Sequence, residues 1–288
     1  YIKDNRTRYT VKNERKINTP NFEMAPVIAH RRGNIIAFGS TRKAKTSSGK
    51  DPVLGEPFFN IWQAEIDKNG NWTEPILFEG SDSLNTEFNE GTIAFDEGFR
   101  KMFITRCPNE KKQNLGCQIW VSERRGRSWG IPERVNIQPH DSISVGHPCP
   151  MPDGNSMIFA GELPGSKGGM DLWYTQYDRR SNTWSTPKNL GEEINTPGDE
   201  LFPTLALNGD LLFSSDGHIG LGGLDIYQAM RQGEDMKWIE PKNLGTPINS
   251  DADDYHMTEI DKRNGFFTTN RAGSLGDKNL GDIWSYNL

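Results

Sequence analysis

Residues 195–227 read NTPGDELFPTLALNGDLLFSSDGHIGLGGLDIY, and the fold can be worked out from this stretch. Residues 201–207 have the composition of a strand, Asn208-Gly209 is a hairpin dipeptide, and 211–215 form the returning strand. A Gly-rich loop at 216–223 leads to a third strand at 225–230, and residues 237–244, carrying Trp238 and Pro241, supply a fourth. The unit is a four-stranded meander.

Its last triplet, Asp225-Ile226-Tyr227, has counterparts at Asn60-Ile61-Trp62, Gln118-Ile119-Trp120, Asp171-Leu172-Trp173 and Asp282-Ile283-Trp284. The middle residues recur every 53 to 58 positions, a period that signals a solenoid, a propeller or an array. A Trp-x-x-Pro fourth strand follows four of the five triplets, at 72–75, 129–132, 184–187 and 238–241. Proline there implies an outer edge, where a missing N–H costs no ladder bond. The turn between first and second strands repeats a glycine, at Gly33, Gly98, Gly154, Gly209 and Gly265, as expected where positive φ is required.

Five third strands but four fourth strands leave one blade short. The N-terminus supplies the difference: Arg8-Tyr9-Thr10-Val11 precedes Ile17-Asn18-Thr19-Pro20 as Trp184 precedes Ile194-Asn195-Thr196-Pro197. A first segment that completes the last repeat closes a ring and hides the edges of an open array. The expected fold is an all-β, five-bladed β-propeller with four antiparallel strands per blade, closed by that N-terminal strand. Residues 1–17 form the closing strand, and the blades span 18–84, 85–143, 144–194, 195–248 and 249–288. A linear solenoid would need polar terminal caps that the sequence lacks.

Composition agrees: 34% hydrophobic residues with 30 Gly, 17 Pro and 8 Trp suit many turns and an aromatic core. The net charge of −6, without a basic block, argues against nucleic acid or an anionic membrane surface as partner. No apolar run approaches the ~20 residues of a membrane span. The chain begins Tyr1-Ile2-Lys3-Asp4, which reads as a piece excised from a longer protein. Cys107 and Cys117 flank one loop and read as a disulfide or as two thiols; Cys149 reads as a small core residue.

The phrases Phe202-Pro203, Leu212 to His218 and Gly220 to Tyr227 resemble the WD-repeat-like, TolB-type propellers of Bacteroidetes OmpA-family envelope lipoproteins. The nearest are the PorE-type members of the type IX secretion system. The resemblance spans most of the chain, while the first two blades match only at the landmarks. It implies a periplasmic, outer-membrane-associated domain that contacts other envelope or secretion-system proteins. Peptidoglycan would be reached only through a domain absent from this chain, and the isolated propeller would be monomeric.

Glu23, Glu90, Glu200 and Asp254 sit where first strands begin in four units, with His147 near that place in the third. First strands line a propeller's channel, so these five residues are candidates for a channel mouth or partner-binding ring. A glycosidase acid/base set needs two carboxylates in contrasting environments, whereas a residue repeated in nearly every blade reads as one loop contact repeated. Asp251, Asp253, Asp254 and His256 have oxygen ligands at alternate positions but no EF-hand glycine, and read as a solvated loop. The histidines lack metal-ligand spacing. SERRGRSW at 122–129 resembles an Asp-box hairpin with Arg124 in place of the acid. The irregular insertions at 41–59 and 107–117 are the better candidates for partner contact, because a repeat does not require them. The expectation is a non-enzymatic protein-interaction scaffold without cofactor or metal. The alternatives are a five-bladed carbohydrate-active enzyme and a glycan- or peptide-binding module using the central channel.

Overall fold

The computed structural model describes residues 6–44, 50, 55–78, 83–86, 88–108, 115–233, 236–276 and 280–288. Half of the residues of the two insertions therefore lie outside the described residues. Among those described, the chain forms strands and no helix. Strand β1 (Thr10–Asn13) is set apart from its neighbours in sequence. Blade 1 holds β2 (Glu23–Ile28), β3 (Ile35–Ser40), β4 (Asn60–Glu65) and β5 (Ile76–Leu77). Blade 2 holds β6 (Asn89–Phe95), β7 (Lys101–Cys107), β8 (Gln118–Arg125) and an outer strand in two pieces, β9 (Ser128–Trp129) and β10 (Glu133–Arg134). Blade 3 repeats that division with β11 (Val145–Pro150), β12 (Ser156–Gly161), β13 (Asp171–Asp178), β14 (Thr183–Trp184) and β15 (Lys188–Asn189). Blade 4 is β16 (Glu200–Leu205), β17 (Leu211–Ser215), β18 (Asp225–Arg231) and β19 (Trp238–Asn243). Blade 5 is β20 (Asp254–Glu259), β21 (Asn264–Thr269) and β22 (Asp282–Asn287), completed by β1 in the order β1-β22-β21-β20.

Every adjacent pair is antiparallel, and the architecture is the five-bladed propeller expected. The outer strand breaks where Pro132 and Pro187 fall, because proline has no N–H for the ladder. In blade 4, three residues separate the Ala206–Asp210 pair, and Gly209 at φ 88° closes the turn. The closing strand pairs Thr10 with Asn287 and Asn13 with Trp284.

The core is divided among the gaps between blades. Five buried apolar clusters each join adjacent blades, the last around Ile17, Ile36 and Phe38 of blade 1 with Phe266 and Ile283 of blade 5. Trp129 and Trp238 are buried in the clusters of their blades.

In four blades the recurring triplet is held in place by an asparagine from the following Ile/Leu-Asn-Thr/Ser segment. Asn195 accepts the Leu172 N–H at 2.8 Å and donates to the Leu172 carbonyl at 3.0 Å. Asn249 does the same for Ile226, both at 2.8 Å. Asn18 does so for Ile283 across a sequence separation of 265 residues, at 2.9 and 2.7 Å. Asn85 bonds Ile61 in the same way. The Asp that opens each of the last three triplets accepts loop amides, as Asp171 does from Lys167 at 2.8 Å. Cys107 and Cys117 form a disulfide, and Cys149 is a buried free thiol that its apolar surroundings push up to about 12.

Candidate functional site

The four carboxylates at the starts of first strands are fully buried. Each caps the backbone four residues before it: Glu23 accepts the Thr19 N–H at 2.7 Å and the Thr19 hydroxyl at 2.8 Å. Glu200 accepts the Thr196 N–H and hydroxyl at 2.8 and 2.6 Å, Glu90 bonds Thr86 likewise, and Asp254 accepts the Ser250 N–H and hydroxyl at 2.6 and 2.8 Å. A basic side chain from just beyond or at the end of the second strand completes each pin. Arg42 lies 3.1 Å from Glu23, Arg106 3.0 Å from Glu90, and Arg271 pairs with Asp254. In blade 4 His218 stands in place of the arginine, bonding the Ile194 carbonyl at 2.8 Å where Arg42 and Arg271 bond those of Ile17 and Ile248.

Burial raises the pKa of all four carboxyls, Glu90 to about 7, against the opposing pull of hydroxyls and arginines. None of the four lines the axial cavity described below. Of the five candidates for a channel-mouth ring, only His147 lines that cavity. The carboxylate register in blade 3 belongs to Val145, opposite Gly161 as Glu200 is opposite Ser215. His147 lies two residues further on.

That offset of two is where the axial site begins. Each first strand carries a register shift, between Met24 and Val27, Glu90 and Ile93, Gly146 and Cys149, Leu201 and Thr204, and Tyr255 and Thr258. Ala25, His147, Phe202 and His256 occupy the same place in their bulges at φ 54°, 51°, 52° and 50°. Left-handed backbone at a non-glycine residue costs on the order of 1–3 kcal/mol. Bonds across to a neighbouring blade offset it: the Ala25 N–H donates to Thr268 Oγ1 at 3.0 Å, and the His147 N–H to Thr105 Oγ1 at 2.9 Å.

The bulges bring aromatic rings together. His147 stacks on Phe202 with centroids 4.0 Å apart and planes 11° apart, and Phe202 stacks on Tyr255 at 4.8 Å. Beside this stack lies a cavity of about 360 Å³ to which all five first strands contribute. It opens on the face of the turns between first and second strands, where Asp96, Glu97 and Glu259 form part of its lining. Its wall is largely apolar, with Val27, Ile93, Phe95, Pro148 and Leu205 among the lining residues.

Polar groups on the wall fall into two sets. Thr204 donates to the Met257 carbonyl at 2.6 Å, and Thr92 bonds Thr105 at 2.7 Å. His147 Nδ1 accepts the Phe202 N–H at 3.2 Å, which leaves the ring proton on Nε2. His256 Nδ1 and Thr258 Oγ1, in contrast, are buried with no hydrogen-bond partner among the described residues. Desolvation pushes both imidazoles down to about 3, so both are neutral near pH 7.

Sequence reasoning did not single out Phe202, Thr258, Glu97 or Glu259, and it read His256 as part of a solvated loop. For Phe202 and His256 the available signal was the count of two from the pinned acid, which needs the acid's role to be known first. The Asp251–Asp254 segment separates instead of converging: Asp253 accepts the Leu224 N–H at 3.0 Å, Asp254 pairs with Arg271, and His256 lies on the axis. Among the described residues no group of three or more His, Cys, Asp or Glu side chains could hold a metal.

No family model and no curated relative matches the chain. Solved structures do. A thermostable family-43 glycoside hydrolase aligns at a TM-score of 0.56 and 11% identity, over 94% of this chain and 90% of that one. An endo-arabinase from Bacteroides thetaiotaomicron gives 0.54 and 12%, over 98% of both, and a GH43 endo-arabinanase from Bacillus licheniformis gives 0.54 and 14%, over 93% and 94%. At such identities the likeness establishes the shared fold. It also corrects the expectation of a non-enzymatic, secretion-associated scaffold. That reading relied on the propeller as an interaction platform, and the solved structures aligned over nearly the whole chain include glycoside hydrolases and arabinanases.

Proposed function

We propose that this chain is a carbohydrate-active propeller whose ligand occupies the axial cavity. The observation that carries this reading is the axial cavity itself, walled by all five first strands, with the stacked His147 and Phe202 rings among its lining. A bound saccharide would lay its ring carbons on the apolar wall and turn its hydroxyls to the polar groups among the lining residues. The fold shared with family-43 glycoside hydrolases supports the carbohydrate class.

Glu97 and Glu259 are the carboxylates we assign to acid/base work at the cavity mouth. They lie on different blades, Glu97 exposed and Glu259 half-buried and accepting the Leu207 N–H at 2.8 Å. The setting we propose is the oxidising periplasm, in keeping with the Cys107–Cys117 disulfide and with the envelope-protein resemblance. The test is release of reducing ends, with calorimetric binding, on arabinan, arabino-oligosaccharides and xylan. Glu259→Gln should lower turnover ~10²-fold or more while retaining binding. Neither binding nor release across the panel would overturn the proposal.

A further inference from the structure

We infer that the chain carries a second ligand site, in the cleft between blades 2 and 3, and that this site takes an acidic oligosaccharide. The cleft encloses about 590 Å³ and shares no lining residue with the axial cavity, so the inference does not depend on what that cavity holds. It lies between the outer hairpins of the two blades, β8–β9 and β13–β14, above the apolar cluster that contains Phe103, Val121 and Trp184. Trp184 is half-buried on its wall, whereas Trp129 and Trp238, its counterparts in blades 2 and 4, are buried. The Tyr177 ring stands beside it, with centroids 5.3 Å apart and planes 50° apart. The pair gives the cleft an aromatic surface against which a sugar ring can lie.

The charge of the cleft comes from a break in the repeat. Trp72, Trp129 and Trp184 stand opposite Ile66, Arg124 and Tyr177, so the residue that follows each of these has the same place in its blade: Asp67, Arg125 and Asp178. Asp67 accepts the Asn69 and Asn71 N–H groups at 2.8 and 2.9 Å, and Asp178 accepts the Arg180 N–H at 2.8 Å, so both carboxylates close their own turns. Blade 2 gives up that cap for Arg125, which is exposed on the cleft wall with no hydrogen-bond or ion-pair partner among the described residues. The other lining cations are matched, Lys101 by Glu123 at 3.7 Å and Arg134 by Asp141 at 2.6 Å. Glu133 is the one lining acid without a partner among the described residues. On the flanking hairpins Arg127 and Arg180 are exposed, Arg124 lies over the Trp129 ring and Arg179 bonds Asn155. The charge left over around the cleft is therefore positive in a chain whose net charge is −6.

A uronate fits both features, its carboxylate taking the paired N–H groups of Arg125 and its ring lying against Trp184. An acidic peptide fits less well. The outer strand of blade 2 is broken into two-residue pieces and Pro132 has no N–H, so no continuous edge is offered for a peptide to extend. The test is calorimetric titration of the chain at pH 7 in low salt with a galacturonate tetramer, an arabinose tetramer and a glutamate tetrapeptide. The galacturonate tetramer should bind, and Arg125→Gln should weaken it about tenfold or more without lowering the Tm or changing the affinity for the arabinose tetramer. Glu133→Gln should tighten it about threefold, because a charge of the ligand's own sign is removed. Absence of galacturonate binding, or unchanged affinity in Arg125→Gln, would overturn the site. Equal loss of both saccharides in Arg125→Gln would overturn its independence from the axial cavity, and a glutamate peptide that binds as tightly as the galacturonate would overturn the saccharide assignment.

Discussion

Replacing Asn18 by alanine tests the contact that closes the ring. Asn18 is buried, accepts the Ile283 N–H at 2.9 Å, and donates to the Ile283 carbonyl at 2.7 Å and to Asn13 Oδ1 at 3.0 Å. In the variant the Ile283 carbonyl keeps the Glu14 N–H, 3.1 Å away, but the Ile283 amide loses its partner in a fully buried position. An orphaned buried donor costs about 1–3 kcal/mol, and truncating the side chain adds the small void it leaves. The expected loss is therefore about 2–4 kcal/mol, read at pH 7 from urea unfolding followed by tryptophan fluorescence. Asn18→Asp should be no better. It keeps an acceptor for the amide but places a second oxygen against the Ile283 carbonyl and Asn13 Oδ1. Asn249→Ala removes the same bridge from Ile226 inside the chain and should cost a similar amount. A loss below about 0.5 kcal/mol for Asn18→Ala, or a neutral Asn18→Asp, would refute the reasoning.

Two further predictions follow from closure and from the axial imidazoles. Deleting residues 1–16 removes β1, strips the edge of β22 and takes away the 2.6 Å bond from Asn13 to Asp282, so the product should self-associate on gel filtration; a stable monomer would contradict the clasp. His256 falls to about 3 in the folded state against an ordinary value near 6.5, so between those pH values the unfolded chain binds more protons and its contribution to stability is lost as pH falls. The stability difference between the parent and His256→Phe should accordingly shift in favour of the variant from pH 6.5 to 4, and a pH-independent difference would exclude a buried neutral imidazole.

Much of the fold was legible because its determinants act over short distances. The Asn208-Gly209 turn, the prolines of the outer strands and the apolar triplets each report a local preference, and their repetition turned local signals into a blade count. The missing fourth strand could be placed because Ile17-Asn18-Thr19 copies Ile194-Asn195-Thr196. The repeated carboxylates were visible too, but their partners were not. Arg42, Arg106 and Arg271 follow the second strand with no distinguishing pattern, and the substitution of His218 in blade 4 interrupts the arginine series. Function was the poorest inference, because a propeller can host either a scaffold or a hydrolase and the repeat does not distinguish them.

The sequence alone determined five blades, their strand order and a ring closed by the N-terminus, since periodicity and turn chemistry require only neighbours along the chain. Tertiary structure decided which residues face the axis. A strand's alternation would place side chains two apart on the same face, but each first strand bulges just after the register of the pinned acid, held by Val145 in blade 3, and the shift re-aims the following residues. Ring closure then sets Val27 of blade 1 and Glu259 of blade 5 around one cavity. Neither the bulge nor that meeting leaves a periodic mark, because both are settled by the hydroxyls of adjacent blades and by the geometry of five sheets closing on themselves.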